Sequence, residues 1–241
     1  MKKMQEINEY WKKHRTDYSF SLPKRGIQSR IALFEKDLDK KRVLHFGCSD
    51  WPDTKEKVLK KTLLHQDLQK VASEFYGVDL SEEGIRVMKE QGIENLFIGD
   101  IYTLAEDKNL ADKKFDVILA TEILEHLVNP GTALDSIKRY ILKMNPECRV
   151  IFTVPNCQNF WFSFISGLRK KEIVHYDHKF YYSYRTFRTL LEEMGFEIED
   201  FYFVTYGRGH KTMKGKILIK LFSWLFQCLS PYLYFKCRAK K

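Results

Sequence analysis

Arg42-Val43-Leu44-His45-Phe46-Gly47-Cys48-Ser49-Asp50 joins a short apolar-rich run to a glycine and then to small polar residues. A run of this length suits a strand buried on both faces, and the glycine after it suits a tight turn at the strand's end. The same grammar recurs at residues 74–78, 95–98, 115–120 and 149–154, with amphipathic stretches such as 80–91 and 132–144 between the runs. Buried strands alternating with helices imply βαβ units around a parallel sheet. Right-handed crossovers then gather the carboxyl ends of the strands at one edge, where a ligand binds.

Further along, the sequence reads as irregular and aromatic until a helix at 184–194 that ends before Gly195, a natural C-terminal glycine. Residues 196–206 alternate like a sixth strand and 232–237 like a seventh. Upstream, residues 2–40 carry apolar residues at helical spacing (Met4, Ile7, Tyr10, Trp11, then Ile27, Ile31, Leu33, Phe34) and read as two capping helices. The expectation is an α/β fold of Rossmann-like type: a seven-stranded, mostly parallel sheet with helices on both faces. Its parts are capping helices over 1–40, a core over 41–206, and a basic apolar helix with a final strand over 207–241 that completes the same domain.

Charge narrows the function. The 241 residues hold 41 Lys and Arg against 32 Asp and Glu, a formal +9, yet no acidic residue follows Asp200. Nine of the basic residues fall after Tyr206, so the body is neutral and the excess belongs to the tail. A neutral body disfavours nucleic acid as the partner. Five cysteines without a CxxC pair suggest neither a disulfide framework nor a structural zinc site, which points to a reducing, cytoplasmic setting. The start of the sequence lacks the apolar core of a secretion signal, and the longest apolar-rich stretch, 217–229, is too short to span a bilayer.

The strand ends carry the chemistry. A dinucleotide fingerprint would require glycines at 47, 49 and 52, where this sequence has Gly47, Ser49 and Pro52. Trp51 and Pro52 would obstruct a pyrophosphate at that turn, which argues against NAD or FAD. Gly77-Val78-Asp79-Leu80 then offers a carboxylate for ribose hydroxyls, and Gly99-Asp100-Ile101 a carboxylate beside an apolar surface suited to adenine. Any one of these aspartates could be a turn or helix cap. Together they describe a nucleoside site without a phosphate grip.

In order, residues 43–49, 77–80, 99–101 and 115–127 resemble the sequence motifs of class I S-adenosylmethionine-dependent methyltransferases, and the resemblance extends over about residues 40–206. It implies S-adenosylmethionine as cofactor, held by His45, Gly47, Asp79, Leu80, Asp100, Ile101 and Thr121. His45 stands where that family has an acidic residue, and Ser49 and Trp51 where it has glycines. The amine-methylating motif with two prolines is replaced by Ala120-Thr121-Glu122-Ile123, which favours oxygen as the acceptor.

A hydroxyl acceptor must lose its proton to a base or through a metal that acidifies it. Glu122, Glu125 and His126, at i, i+3 and i+4, would share one helical face after the fourth strand. His175-Tyr176-Asp177-His178-Lys179-Phe180 could reach the same crevice. Glu122, His126 and His178 are therefore the catalytic candidates. The pair of clusters is similar to magnesium-dependent small-RNA 2′-O-methyltransferases, which implies Mg2+ held by Glu122, Glu125, His126 and His178. The first cluster is also similar to ubiquinone-pathway O-methyltransferases, and local hydrogen bonding without a metal stays open.

Two apolar insertions complete the reading. Residues 159–165 are rich in aromatics, and 214–229 has a broad apolar face with Lys211, Lys214, Lys216 and Lys220 at its edge, the pattern of an in-plane helix on an anionic membrane. Packing within the domain or in a homodimer would use the same face. Much of the sequence also resembles methyltransferase domains of bacterial surface-polysaccharide pathways, which act on sugars or lipid-linked glycans. The leading expectation is a cytoplasmic O-methyltransferase, peripheral at the membrane, acting on a glycan, lipid-linked or small-molecule acceptor. An RNA 2′-O-methyltransferase and a catalytically silent binding module are the alternatives.

Overall fold

The computed structural model describes residues 21–23, 27–205 and 226–241, together with isolated positions 4, 5, 9 and 12; at 160 and 161 it describes the backbone alone. The strands are β1 (Ile27–Ser29), β2 (Arg42–Phe46), β3 (Glu74–Asp79), β4 (Leu96–Ile98), β5 (Val117–Thr121), β6 (Arg149–Pro155), β7 (Phe196–Thr205) and β8 (Tyr232–Ala239). They form one sheet in the order β1-β7-β8-β6-β5-β2-β3-β4. Only β8 runs antiparallel, wedged between β6 and β7. From β2 the chain steps outward to β3 and β4, then returns to place β5 on the other side of β2. That reversal creates a crevice at the strands' carboxyl ends.

Within residues 27–205 the helices are α1 (Arg30–Leu38), α2 (Thr54–Leu59), α3 (Leu64–Leu68), α4 (Glu82–Glu90), α5 (Pro130–Met144), α6 (Phe160–Arg169) and α7 (Tyr184–Glu193). Alternation along the strands sorts the core onto two faces. Leu44, Phe46, Ile118, Ala120, Val150 and Phe152 point toward α5 and α7, against Leu134, Ile137, Ile141, Phe187 and Leu191. Val43, Val117, Leu119 and Ile151 point the other way, against Leu33, Phe34 and Leu38 of α1 and Leu68 of α3. Because both faces are covered, β5 is buried at every position, which is why its sequence does not alternate.

The seven expected strands are present, and an eighth joins them. Residues 27–29, read in the sequence as the start of a helix, are extended and pair in parallel with Phe203–Thr205. The helix begins only after Ser29, whose hydroxyl accepts from the Ala32 amide at 3.3 Å, so a cap divides what apolar spacing had joined. A second correction concerns the stretch after β6, read as irregular, which contains α6. Among its described side chains, Phe162, Phe164 and Leu168 are exposed rather than turned to a core. Gly195 follows α7 with φ +81°, in the left-handed region a C-terminal glycine supplies.

Most of the helix expected over 214–229 lies outside the described residues. Its last three residues form a 3-10 turn, Gln227–Leu229, with Gln227 Nε2 donating to the Pro23 carbonyl at 2.8 Å. Among the described residues, no helix is long and apolar enough to cross a membrane.

Candidate active site

A cleft of about 1450 Å3 opens at the carboxyl ends of β2, β3, β5 and β6. Its floor begins at Gly47, whose amide donates to the Val78 carbonyl at 2.9 Å. Gly47 has φ +68°, and an added Cβ would stand 3.0 Å from two carbons of the Ile123 side chain. Only glycine fits this turn without strain.

Asp79, at the end of β3, accepts from the Ser49 amide through Oδ2 and from the Ser81 amide through Oδ1, both at 2.9 Å. The carboxylate thus ties the turn after β2 to the start of α4. Each oxygen keeps a further lone pair, so it can still accept from a ligand hydroxyl. Leu80 beside it is 70% exposed and lines the same wall. Thr121 closes the floor at the end of β5.

Three residues expected at the cofactor site lie off that wall. His45 is fully buried, with Nε2 3.2 Å from Thr121 Oγ1 and Nδ1 3.2 Å from His65 Nδ1. Burial, with a smaller contribution from the nearby Arg30 charge, pushes its pKa down to about 3. His45 faces α3 because, two residues on from Val43, it shares that residue's face of the sheet, so it supports the floor from beneath rather than lining it. Asp100 accepts from the Tyr102 amide at 2.9 Å and caps the 3-10 segment Ile101–Glu106, which tucks Ile101 into the core. Neither Asp100 nor Ile101 lines the cleft.

The expectation that Glu122, Glu125 and His126 share a helical face is corrected. Glu122 has φ +52°, and only residues 124–126 form a 3-10 turn. A non-glycine residue held there stores strain of about 1–3 kcal/mol. The left-handed turn sends Glu122 toward α1, where it forms an ion pair with Arg30, and Thr153 Oγ1 donates to the same carboxylate at 3.4 Å. Arg30 is itself buried, with its guanidinium 5.3 Å from the Tyr232 ring centroid. Glu125 is fully buried, and neither carboxylate oxygen has a hydrogen-bond partner among the described residues. Burial pushes its pKa up to about 8.

His126 instead turns toward the loop before α7. Its Nδ1 lies 3.2 Å from Asp177 Oδ2, and its ring sits 4.7 Å from that of His178 and 5.4 Å from that of His175. The loop is stitched to the 3-10 turn by the Lys179 and Phe180 amides, which donate to the Glu125 carbonyl at 2.7 and 3.2 Å. Partial burial lowers the His126 pKa despite Asp177, and it lowers His178 to about 4, helped by the neighbouring imidazoles.

The structure therefore brings Gly47, Asp79, Leu80, Thr121, Glu122, Glu125, His126 and His178 to one cleft. It also adds residues that sequence reasoning missed. Arg30 was hidden because an arginine at the head of an amphipathic helix reads as a solvated end. Ser81, the α4 cap, and Tyr232, at the start of β8, line the cleft without any motif to mark them.

Residues 14–200 match the family described as "Methyltransferase domain". No curated protein matches the sequence. Among solved structures, the fold is similar to a SAM-dependent methyltransferase from Archaeoglobus fulgidus (TM-score 0.53, 17% identity, covering 96% of this chain and 99% of that one). It is also similar to a TehB-like SAM-dependent methyltransferase from Corynebacterium glutamicum (TM-score 0.51, 13% identity, 98% and 97% covered). A third likeness is to the small RNA methyltransferase HEN1, with TM-score 0.52, 14% identity, and coverage of 92% of this chain but 27% of that one. With the family match spanning most of the sequence on a Rossmann-like sheet, the chain belongs to the methyltransferase-domain family and is a class I S-adenosylmethionine-dependent methyltransferase.

Proposed function

We propose that the protein transfers the methyl group of S-adenosylmethionine to a hydroxyl oxygen of a glycan, lipid-linked or small-molecule acceptor. The observation that carries this reading is the single cleft with two chemically different ends. One end has Gly47, Asp79, Leu80 and Thr121; the other has His126, His175, His178 and Tyr176. At about 1450 Å3 it exceeds the roughly 300–1,000 Å3 of a pocket for one small ligand, which leaves room for cofactor and acceptor together.

In this reading Asp79 accepts the ribose hydroxyls and Leu80 packs against the nucleoside. Gly47 lets the cofactor approach the backbone of the first turn. His45, Asp100 and Ile101 act from behind the wall by fixing the turns they support. Methyl transfer from a sulfonium is an in-line displacement, so holding the acceptor oxygen against the methyl carbon supplies much of the rate. The imidazole end provides groups that can orient that oxygen and ease the loss of its proton. Glu122, engaged with Arg30, shapes the boundary between the two ends rather than acting as a free base.

Tyr176, Tyr181 and Phe162 are exposed around that end and suit an acceptor with an apolar or sugar face. Incubation with methyl-labelled cofactor and fractionated cell extract tests the proposal. Label in a glycan, lipid or small-molecule fraction, as a methyl ether or ester, supports it. Label confined to ribonuclease-sensitive material would support the RNA alternative, and label on nitrogen would exclude an oxygen acceptor.

A further inference from the structure

The resemblance to small-RNA methyltransferases implies Mg2+ on Glu122, Glu125, His126 and His178, and the side chains present do not fit that ion. Mg2+ requires hard oxygen donors in near-octahedral array. Here Glu122 is held by Arg30, and the donor atoms that converge are nitrogens. One ring nitrogen from each of His126, His175 and His178 lies within 4.8 Å of the others.

We propose instead that His126, His175 and His178 form a site for a borderline divalent transition-metal ion of the zinc class, with a fourth position open to an oxygen donor. Three imidazoles and an open position are the donor set of a catalytic rather than a structural zinc site. Two of the ring nitrogens that would not meet the ion are already engaged. His126 Nδ1 faces Asp177 Oδ2 at 3.2 Å, leaving Nε2 to the ion in the carboxylate–histidine–metal pattern. His175 Nδ1 accepts from the Asp177 amide at 3.3 Å, which likewise leaves its Nε2. His178 Nδ1 is buried with no partner among the described residues.

Rigidity supports the assignment. The His178 amide donates to the His175 carbonyl at 3.1 Å, closing the turn that carries two of the ligands. The third ligand is fixed to it through the Glu125 carbonyl, which receives the Lys179 and Phe180 amides. The Glu125 side chain that follows from this tie is fully buried, with both carboxylate oxygens unpartnered among the described residues. That the open position would take the acceptor oxygen rests on the methyl-transfer reading; occupancy by the ion does not.

The test uses the full chain, stripped with chelator and titrated calorimetrically with Zn2+ and separately with Mg2+. Co2+ substitution then reports nitrogen ligation through its visible absorption. One Zn2+ per chain is expected, bound at least about 100-fold tighter than Mg2+. His175→Ala and His178→Ala should each weaken Zn2+ binding by tenfold or more, and Asp177→Asn by about tenfold. Glu122→Gln should leave Zn2+ affinity unchanged. Circular dichroism of every variant certifies the fold, and binding of S-adenosylhomocysteine reports on the cofactor site separately. A chain that binds S-adenosylhomocysteine but no Zn2+ would overturn the proposal. So would Zn2+ binding that ignores His175→Ala and His178→Ala, or that is lost in Glu122→Gln. Zn2+ binding without S-adenosylhomocysteine binding would leave the metal site standing and remove the cofactor reading instead.

Discussion

Acid should weaken this fold through the histidines beneath the cofactor floor. In the fold His45 has its pKa pushed down to about 3, against about 6.5 in an unfolded chain, because burial disfavours the imidazolium. The folded state therefore binds fewer protons than the unfolded state below that upper value, and stability falls as pH drops through it. Going from about pH 7 to about pH 5, the unfolded state gains about 2 kcal/mol from protonation of His45 alone. His65, also lowered by burial and by His45, adds to the loss in the same direction. Stability of a domain is about 5–15 kcal/mol, so the effect is a visible fraction of it. Urea unfolding followed by circular dichroism at the two pH values measures the effect. In His45→Gln, whose amide can still bond to Thr121, the acid-induced loss should shrink by about 2 kcal/mol. Superimposable pH profiles for the parent and the variant would refute the reasoning, as would a His45 ring proton resonance that titrates near its unperturbed range.

Other expected outcomes concern the cleft. Asp79→Ala removes a carboxylate that holds the Ser49 and Ser81 amides, so S-adenosylhomocysteine affinity should fall at least tenfold, consistent with about 1.5–3 kcal/mol for a charged hydrogen bond. Unchanged affinity by calorimetry would remove Asp79 from the site. Gly47→Ala forces a side chain into the left-handed region against Ile123 and should lower both the melting temperature and cofactor affinity, by about 1–2 kcal/mol in stability. Arg30→Met strands the Glu122 charge at a part-buried position and should cost about 3 kcal/mol, much of it recovered in Arg30→Met/Glu122→Met. A double variant as unstable as the single one in thermal melts would show that the ion pair is not the cause.

The sheet was legible because β2, β3, β5 and β6 are short apolar-rich runs whose polar residues stand mostly at or near their ends, leaving consecutive buried apolar positions between. β1 was not, since three residues carry no period and belong to a strand only through their pairing with β7. Gly47 and Asp79 could be read because the turn needs a positive φ and the loop amides need an acceptor, both local demands written at the strand ends. Residues 122–126 misled for the opposite reason. Their spacing fits a helix, but the positive φ of Glu122 arises from the Thr153 carbonyl it donates to and the Arg30 it meets, neither of which is near in sequence. Nothing local in the sequence marks His175, whose ring meets that of His126 at 5.4 Å only through the turn that carries it.

If the protein is the enzyme proposed above, this cleft binds S-adenosylmethionine and passes on its methyl group. The most direct measurement is titration calorimetry of the folded full chain with S-adenosylhomocysteine, the product that keeps the adenosine and amino-acid parts of the cofactor and lacks the methyl group and the sulfonium charge. Saturable binding at one molecule per chain is expected, weakened at least tenfold by Asp79→Ala while the variant stays folded. A folded protein that shows no binding would contradict it.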